Sequence, residues 1–256
     1  MRHKDATQRF TNRVTNYIRS RPGYPGAVYD HLQTRCGLHP ESIILDVGSG
    51  TGLLSQLFLK QGHTVIGVEP NKDMRQAGDR LLQDYPQFTG LDGRAENLPV
   101  ADQSANLLIA GQAFHWFEPE AYKQETKRVS HHGAETALIW NEWLPELSPF
   151  LEGYYNLLME KGTDFHRVSR QHEGKQRNID IYFGNSAYEL VHFPNLQTFD
   201  YAGAEGRLLS SSYVPLKGEP GFQDLLDSFR ELFEEHQRNG KLQFDYRCSV
   251  YLGKIN

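Results

Sequence analysis

Two cysteines, Cys36 and Cys248, are all that the 256 residues contain. That excludes a disulfide framework and a cysteine-built metal centre. No apolar run approaches the roughly 20 residues that a membrane-spanning helix needs. The opening MRHKDATQRF lacks the apolar stretch of a secretory leader. The expectation is therefore a cytoplasmic protein with no membrane partner. Charge of one sign is not concentrated either: 27 Lys and Arg stand against 32 Asp and Glu, for a net charge of -5. Without a basic tract there is no electrostatic reason to expect a nucleic-acid partner. Repeats and low-complexity segments are missing as well. What remains, 38% hydrophobic and 23% charged residues, is enough to build the core of one sizeable domain.

The chain divides into a lid, a regular core, a lobe and a closing segment. Residues 1–40 read as a helical lid: a polar helix from Ala6 to Ser20, the stretch Arg21-Pro22-Gly23-Tyr24-Pro25-Gly26, then a second helix. The prolines and glycines between them would break any continuous helix. Across 41–143, short apolar runs alternate with amphipathic segments of helical length. The runs are Ile43-Ile44-Leu45, Thr64 to Val68, Leu107 to Ala110 and Thr136 to Trp140. Uninterrupted apolar runs of this length suit strands buried on both faces of a parallel sheet. Their alternation with helices is the βαβ rhythm of a doubly wound α/β fold. Residues 144–195 are aromatic-rich and read as an inserted helical cap lobe. Residues 196–256 complete the sheet with a strand from Leu196 to Tyr201, a helix near 221–238 and a strand from Leu242 to Leu252. The last alternates Phe244, Tyr246 and Cys248 with polar neighbours, which predicts an antiparallel edge strand.

The most informative segment is Leu45-Asp46-Val47-Gly48-Ser49-Gly50-Thr51-Gly52, between the first strand and the first core helix. Its glycines permit a sharp turn and close approach of a ligand to bare backbone. Glu69 ends the next strand, about 20 residues on, where an acid can accept from ribose hydroxyls. A dinucleotide loop would need a third glycine where Leu53 stands. Asp46 would repel a pyrophosphate but attract an ammonium and a sulfonium. No lysine follows, so a phosphate-binding P-loop is excluded.

Asp46 to Gly52 resembles the signature loop of class I S-adenosylmethionine-dependent methyltransferases. Val68 to Met74, Gly93 to Pro99 and Ala110 to Phe117 fit the family at the expected places. The last of these, with Arg21 to Pro25 and Leu209 to Val214, is similar to the trans-aconitate methyltransferase-like branch. The resemblance implies a Rossmann-like methyltransferase fold with a mostly parallel seven-stranded sheet. It implies S-adenosylmethionine as cofactor, held by Asp46, Gly48, Ser49, Gly50, Glu69, Met74, Ala95, Glu96 and Gln112. Asp46 would meet the amino group or hold the loop, Glu69 the ribose, Met74 the adenine face and Ala95 the adenine edge. Arg94 stands where many relatives carry an acid, and arginine offers no acceptor for the adenine amino group.

Methyl transfer depends chiefly on alignment, which can supply roughly 7–11 kcal/mol. A base is required only where the nucleophile must lose a proton, which a carboxylate does not. His115 is the candidate base, weighed evenly against a role as pocket wall. Tyr24, Trp116 and Tyr213 are candidate acceptor contacts, each with packing as the competing explanation. Arg167, Arg170, Lys175 and Arg177 read as solvated surface. No spacing of His, Cys, Asp or Glu suggests a metal site. The function expected is methylation of a small molecule, with carboxylic acids among the acceptors. A non-catalytic S-adenosylmethionine or S-adenosylhomocysteine binder is the main alternative, and a nicotinamide oxidoreductase a weaker one.

Overall fold

The computed structural model describes residues 21–166, 174–211 and 213–255. The helix expected over Ala6 to Ser20 and the basic residues Arg167 and Arg170 lie outside these. Helix α1 (Gly26–Cys36) leads into β1 (Ile43–Val47), α2 (Ser55–Leu59), β2 (Thr64–Val68), α3 (Lys72–Leu81) and β3 (Phe88–Leu91). Then come β4 (Ala105–Gly111), α4 (Pro119–Val129) and β5 (Ser130–Glu142). Helices α5 (Pro149–Lys161) and α6 (Lys175–Phe183) precede β6 (Tyr188–Phe199). Helices α7 (Tyr201–Leu209) and α8 (Phe222–His236) separate it from β7 (Leu242–Gly253).

The strands form one seven-stranded sheet in the order β3-β2-β1-β4-β5-β7-β6. Six strands point the same way, and β7 alone is reversed, antiparallel to both of its neighbours. Alternation along each strand feeds two cores. Ile44, Val65, Leu107 and Ile139 face α1 and α2, packing with Val28, Leu32 and Phe58. Leu45, Val47, Leu108 and Trp140 point the other way, onto Tyr122 and Tyr182 of α4 and α6. Both faces are covered, which is why these strands are apolar throughout. Local signals set the helix starts: the Asn71 side chain accepts from the backbone N–H groups of Asp73 and Met74, and Pro119 occupies the first turn of α4.

Three readings of the sequence are corrected. β7 lies inside the sheet, not at its edge. Its alternation is confined to the first half, because β5 ends opposite Arg247 and residues 242–246 pair with β6 alone. The edge is β6, which starts at Tyr188 and not Leu196. Pro194 disguised it, yet proline is tolerated on an edge strand. Consequently 188–195 belong to the sheet and not to the lobe. The lobe itself draws on α5, α7 and α8, which share a third core with Phe244 and Tyr246 of β7, while α6 packs on the sheet face. His131 and His132 are exposed at the start of β5.

Candidate functional site

At the carboxyl ends of β1, β2 and β4 lies an open cleft of about 840 Å³, part of it open solvent. Its floor is the glycine loop. Gly48, Gly50 and Gly52 hold φ of 71°, 58° and 79°, a region costly to other residues. A Cβ on Gly48 would stand 2.5 Å from that of Ala113. The loop is pinned to β2 by Glu69, whose Oε2 accepts from Gly50 N (3.0 Å) and Oε1 from Asn71 N (2.8 Å). Burial raises the Glu69 pKa against these two backbone donors.

Asp46, 1% exposed at the end of β1, takes the Ser55 hydroxyl on Oδ2 at 2.6 Å. Its other oxygen, Oδ1, is buried without a hydrogen-bond partner. Burial pushes its pKa up to about 7, with the Ser55 hydroxyl acting in the opposite direction. An unpartnered buried acceptor is costly, and one lining a ligand cleft calls for a donor from that ligand.

The cleft's far wall comes from β4 and the turn behind it. Gln112 adopts φ 56°, uncommon for a residue with a side chain. It is fixed there by two bonds: its N–H donates to Ile139 O (2.9 Å) and its Nε2 to Asn141 O (2.6 Å). Tyr24 closes the α1 side, its hydroxyl lying over Gly111, where any Cβ would collide with it. The segment carrying Tyr24 is strapped down through the Gly23 carbonyl, which accepts from Asn141 Nδ2 (3.1 Å) and Asn195 Nδ2 (2.8 Å). Asn195 also donates to Asn141 Oδ1 at 3.0 Å.

Of the residues expected to hold the cofactor, Asp46, Gly48, Ser49, Gly50, Glu69, Met74 and Gln112 line this cleft. Tyr24 and Trp116 line it too, the latter 44% exposed. The structure does not bring four others to it. Ala95 is buried in the α4-side core. Glu96 accepts from Glu118 N (3.0 Å) at the start of α4. His115 is exposed and its ring packs against Trp116, not into the cleft. Tyr213 packs on Phe165 inside the lobe, in the link between α7 and α8. Lys175 is held by Glu142 (2.6 Å) under β5, away from the cleft. Sequence reading missed Asn71 and Phe117, which also line the site. The Asn71 cap could have been found from Asn-Lys-Asp-Met before an amphipathic run.

The site fits S-adenosylmethionine on its own chemistry. Bare backbone lies beside the unpaired carboxylate oxygen of Asp46, Glu69 sits at the end of β2, and the Met74 methyl lies near Gly50. The strand order and the covering helices are those of a Rossmann-like methyltransferase fold. Comparison with known proteins bears on the same span. Residues 45–138 match the family model described as a methyltransferase domain. An uncharacterized methyltransferase of Mycobacterium tuberculosis (strain ATCC 25618 / H37Rv) is 32% identical over 154 residues, covering 58% of this chain and 60% of that protein. One from Schizosaccharomyces pombe is 31% identical over 150 residues, 56% of this chain and 59% of the relative. The matched part thus spans about 60% of these relatives' length. Among solved structures, an Anaeromyxobacter dehalogenans protein provisionally named a type II methyltransferase aligns with a TM-score of 0.63 at 20% identity. That alignment covers 92% of this chain and 98% of the other, and it shows the fold.

Proposed function

We propose that this chain transfers a methyl group from S-adenosylmethionine to a small molecule, with carboxylic acids as the favoured acceptors. The observation that carries the reading is the buried, unpartnered Asp46 Oδ1 beside the glycine loop, opposite Glu69. When bound, S-adenosylmethionine supplies a methyl on a sulfonium sulfur that leaves as a neutral thioether. Asp46 would pair with the ammonium, Glu69 would accept from the ribose, and Met74 would cover the base. Gly48, Ser49 and Gly50 would admit the methionine part to the backbone, and Gln112 would orient it from the β4 side. Tyr24 and Trp116 would shape the mouth through which the acceptor enters.

The acceptor class follows from what the cleft offers. Among the described residues lining it, the titratable side chains are Asp46, Glu69 and Tyr24. Both acids are engaged in holding the loop. A nucleophile that arrives already deprotonated, such as a carboxylate, suits that lining. The same observation suits a protein that binds the cofactor without turnover. A net charge of -5 gives no reason to look for a nucleic-acid acceptor.

Calorimetric titration with S-adenosylmethionine, S-adenosylhomocysteine and NAD tests the reading. Binding of the first two alone is the expected result, and binding of NAD alone would overturn it. Release of S-adenosylhomocysteine in the presence of carboxylic acids then separates a methyltransferase from a non-catalytic binder. Glu69→Ala should weaken S-adenosylhomocysteine binding by tenfold or more, because it removes the tether of Gly50 as well as the ribose acceptor. Unchanged affinity would count against this site.

A further inference from the structure

We infer that Arg207 is the anion-binding residue of an acceptor subsite in the lobe, taking a carboxylate of a small acid. The inference rests on the methyltransferase reading and adds where the acceptor is recognised. Arg207, in the last turn of α7, is only 5% exposed. An arginine this deep is ordinarily paired with an acid. Here no described residue supplies one. Glu205, on the same helix, interacts with Tyr201 instead. The contacts Arg207 does make are neutral and long: Nε donates to the Tyr246 hydroxyl at 3.3 Å and Nη1 to Ser211 Oγ at 3.4 Å. The guanidinium lies 5.2 Å from the centre of the Phe244 ring. Of its five N–H donors, three find no acceptor among the described residues.

A second polar group in the lobe is also left incomplete. The Tyr154 hydroxyl is buried, near enough to Arg207 and Ser211 to feel both, and without a well-formed hydrogen bond. A free guanidinium edge and a nearby hydroxyl suit a carboxylate, which accepts two parallel N–H bonds and a third from the hydroxyl.

The cluster's place in the fold connects it to the cleft. The Tyr246 hydroxyl, which Arg207 contacts, also donates to Gln197 Oε1 at 3.0 Å. Tyr246 stands opposite Asn195 across the β6–β7 ladder. Asn195 in turn holds the Gly23 carbonyl beside Tyr24, the residue that lines the cofactor cleft. Arg207 therefore lies on the α1 side of the sheet, just beyond the strap. An acceptor whose carboxylate rests on Arg207 would extend toward Tyr24 and the cleft mouth.

The test titrates protein saturated with S-adenosylhomocysteine with succinate, citrate and benzoate, and with succinamide and benzamide as uncharged controls. At least one acid should bind where its amide does not. Arg207→Gln should weaken that acid tenfold or more, with S-adenosylhomocysteine affinity within twofold of the parent, and Arg207→Lys should weaken it partially. Should Arg207→Gln fail to fold, Tyr154→Phe decides. A purely structural Arg207 predicts no change in acid binding from loss of that hydroxyl, whereas the subsite predicts a three- to tenfold loss at an undiminished Tm. Acids that bind no better than amides, or that bind Tyr154→Phe and Arg207→Lys as they bind the parent, overturn the assignment. Failure of the parent to bind S-adenosylhomocysteine would strike the methyltransferase reading itself, a distinct result.

Discussion

A carboxylate left half-satisfied at 1% exposure is the most instructive residue of the chain. Asp46 has its pKa raised from 3.8 to about 7, chiefly by burial. The folded state thus holds this proton more tightly than the unfolded chain does. Its contribution to stability is complete below about pH 4 and is lost as pH rises to about 7. Ligand-free protein should lose Tm across that window relative to Asp46→Asn, whose profile lacks this component. A ligand presenting an ammonium needs the charged form, so S-adenosylhomocysteine affinity should rise with pH and level off near 7. Asp46→Asn should bind it weakly with no such slope. Thermal scans and calorimetry of both proteins over pH 4.5–8 read the two effects, and parallel profiles would refute the role given to Asp46. At this scale the sequence was informative where the chemistry is local. The acid before the glycines and Glu69 at the end of β2 can be read from spacing alone. The positive φ of Gln112 cannot, because it is imposed by bonds to β5, some thirty residues on. Nor can the burial of Arg207, whose neighbours Tyr154 and Tyr246 come from two other elements.

Among the elements, the strap over the cleft shows how distant segments are made to converge. Residues 21–25 form no helix or strand of their own. The Gly23 carbonyl supplies the anchor, gripped by asparagines from β5 and β6. Asn195→Ala removes two of these bonds, each worth about 0.5–1.5 kcal/mol. It should weaken S-adenosylhomocysteine binding three- to tenfold and raise amide exchange at 22–25, while changing Tm little because Asn195 lies on an edge strand. An affinity equal to the parent's would show that the strap does not serve the cleft. The convergence was illegible beforehand because β6 was itself hidden by Pro194 and by its half-polar face. The buried parallel strands, whose apolar runs announce themselves, were read near their true positions. The strands that change neighbours along their length were not.

For the whole molecule, the decisive feature is that β7 runs from the lobe into the sheet. The second half of β7 completes the α/β core, with Val250 and Leu252 in the α1-side cluster. The first half enters the lobe, where Phe244 packs edge-on against Trp143, Phe150 and Tyr154 and stacks near Tyr246. Phe244 is 2% exposed and, with Leu242 and Tyr246, links the lobe helices to the strand. Phe244→Ala should cost about 3–5 kcal/mol, the usual loss for an aromatic side chain deleted from a packed core. The cost should fall unevenly, because the strands around β1 and β4 pack through other side chains. Hydrogen exchange should show α5 and α8 losing protection while β1, β4 and the glycine loop keep theirs. S-adenosylhomocysteine should still bind, and acid binding at Arg207 should be lost, since Phe244 lies beside the guanidinium. Uniform loss of protection across both halves would mean that lobe and sheet unfold as one unit, and the division of labour between cofactor cleft and acceptor lobe would lose its physical basis.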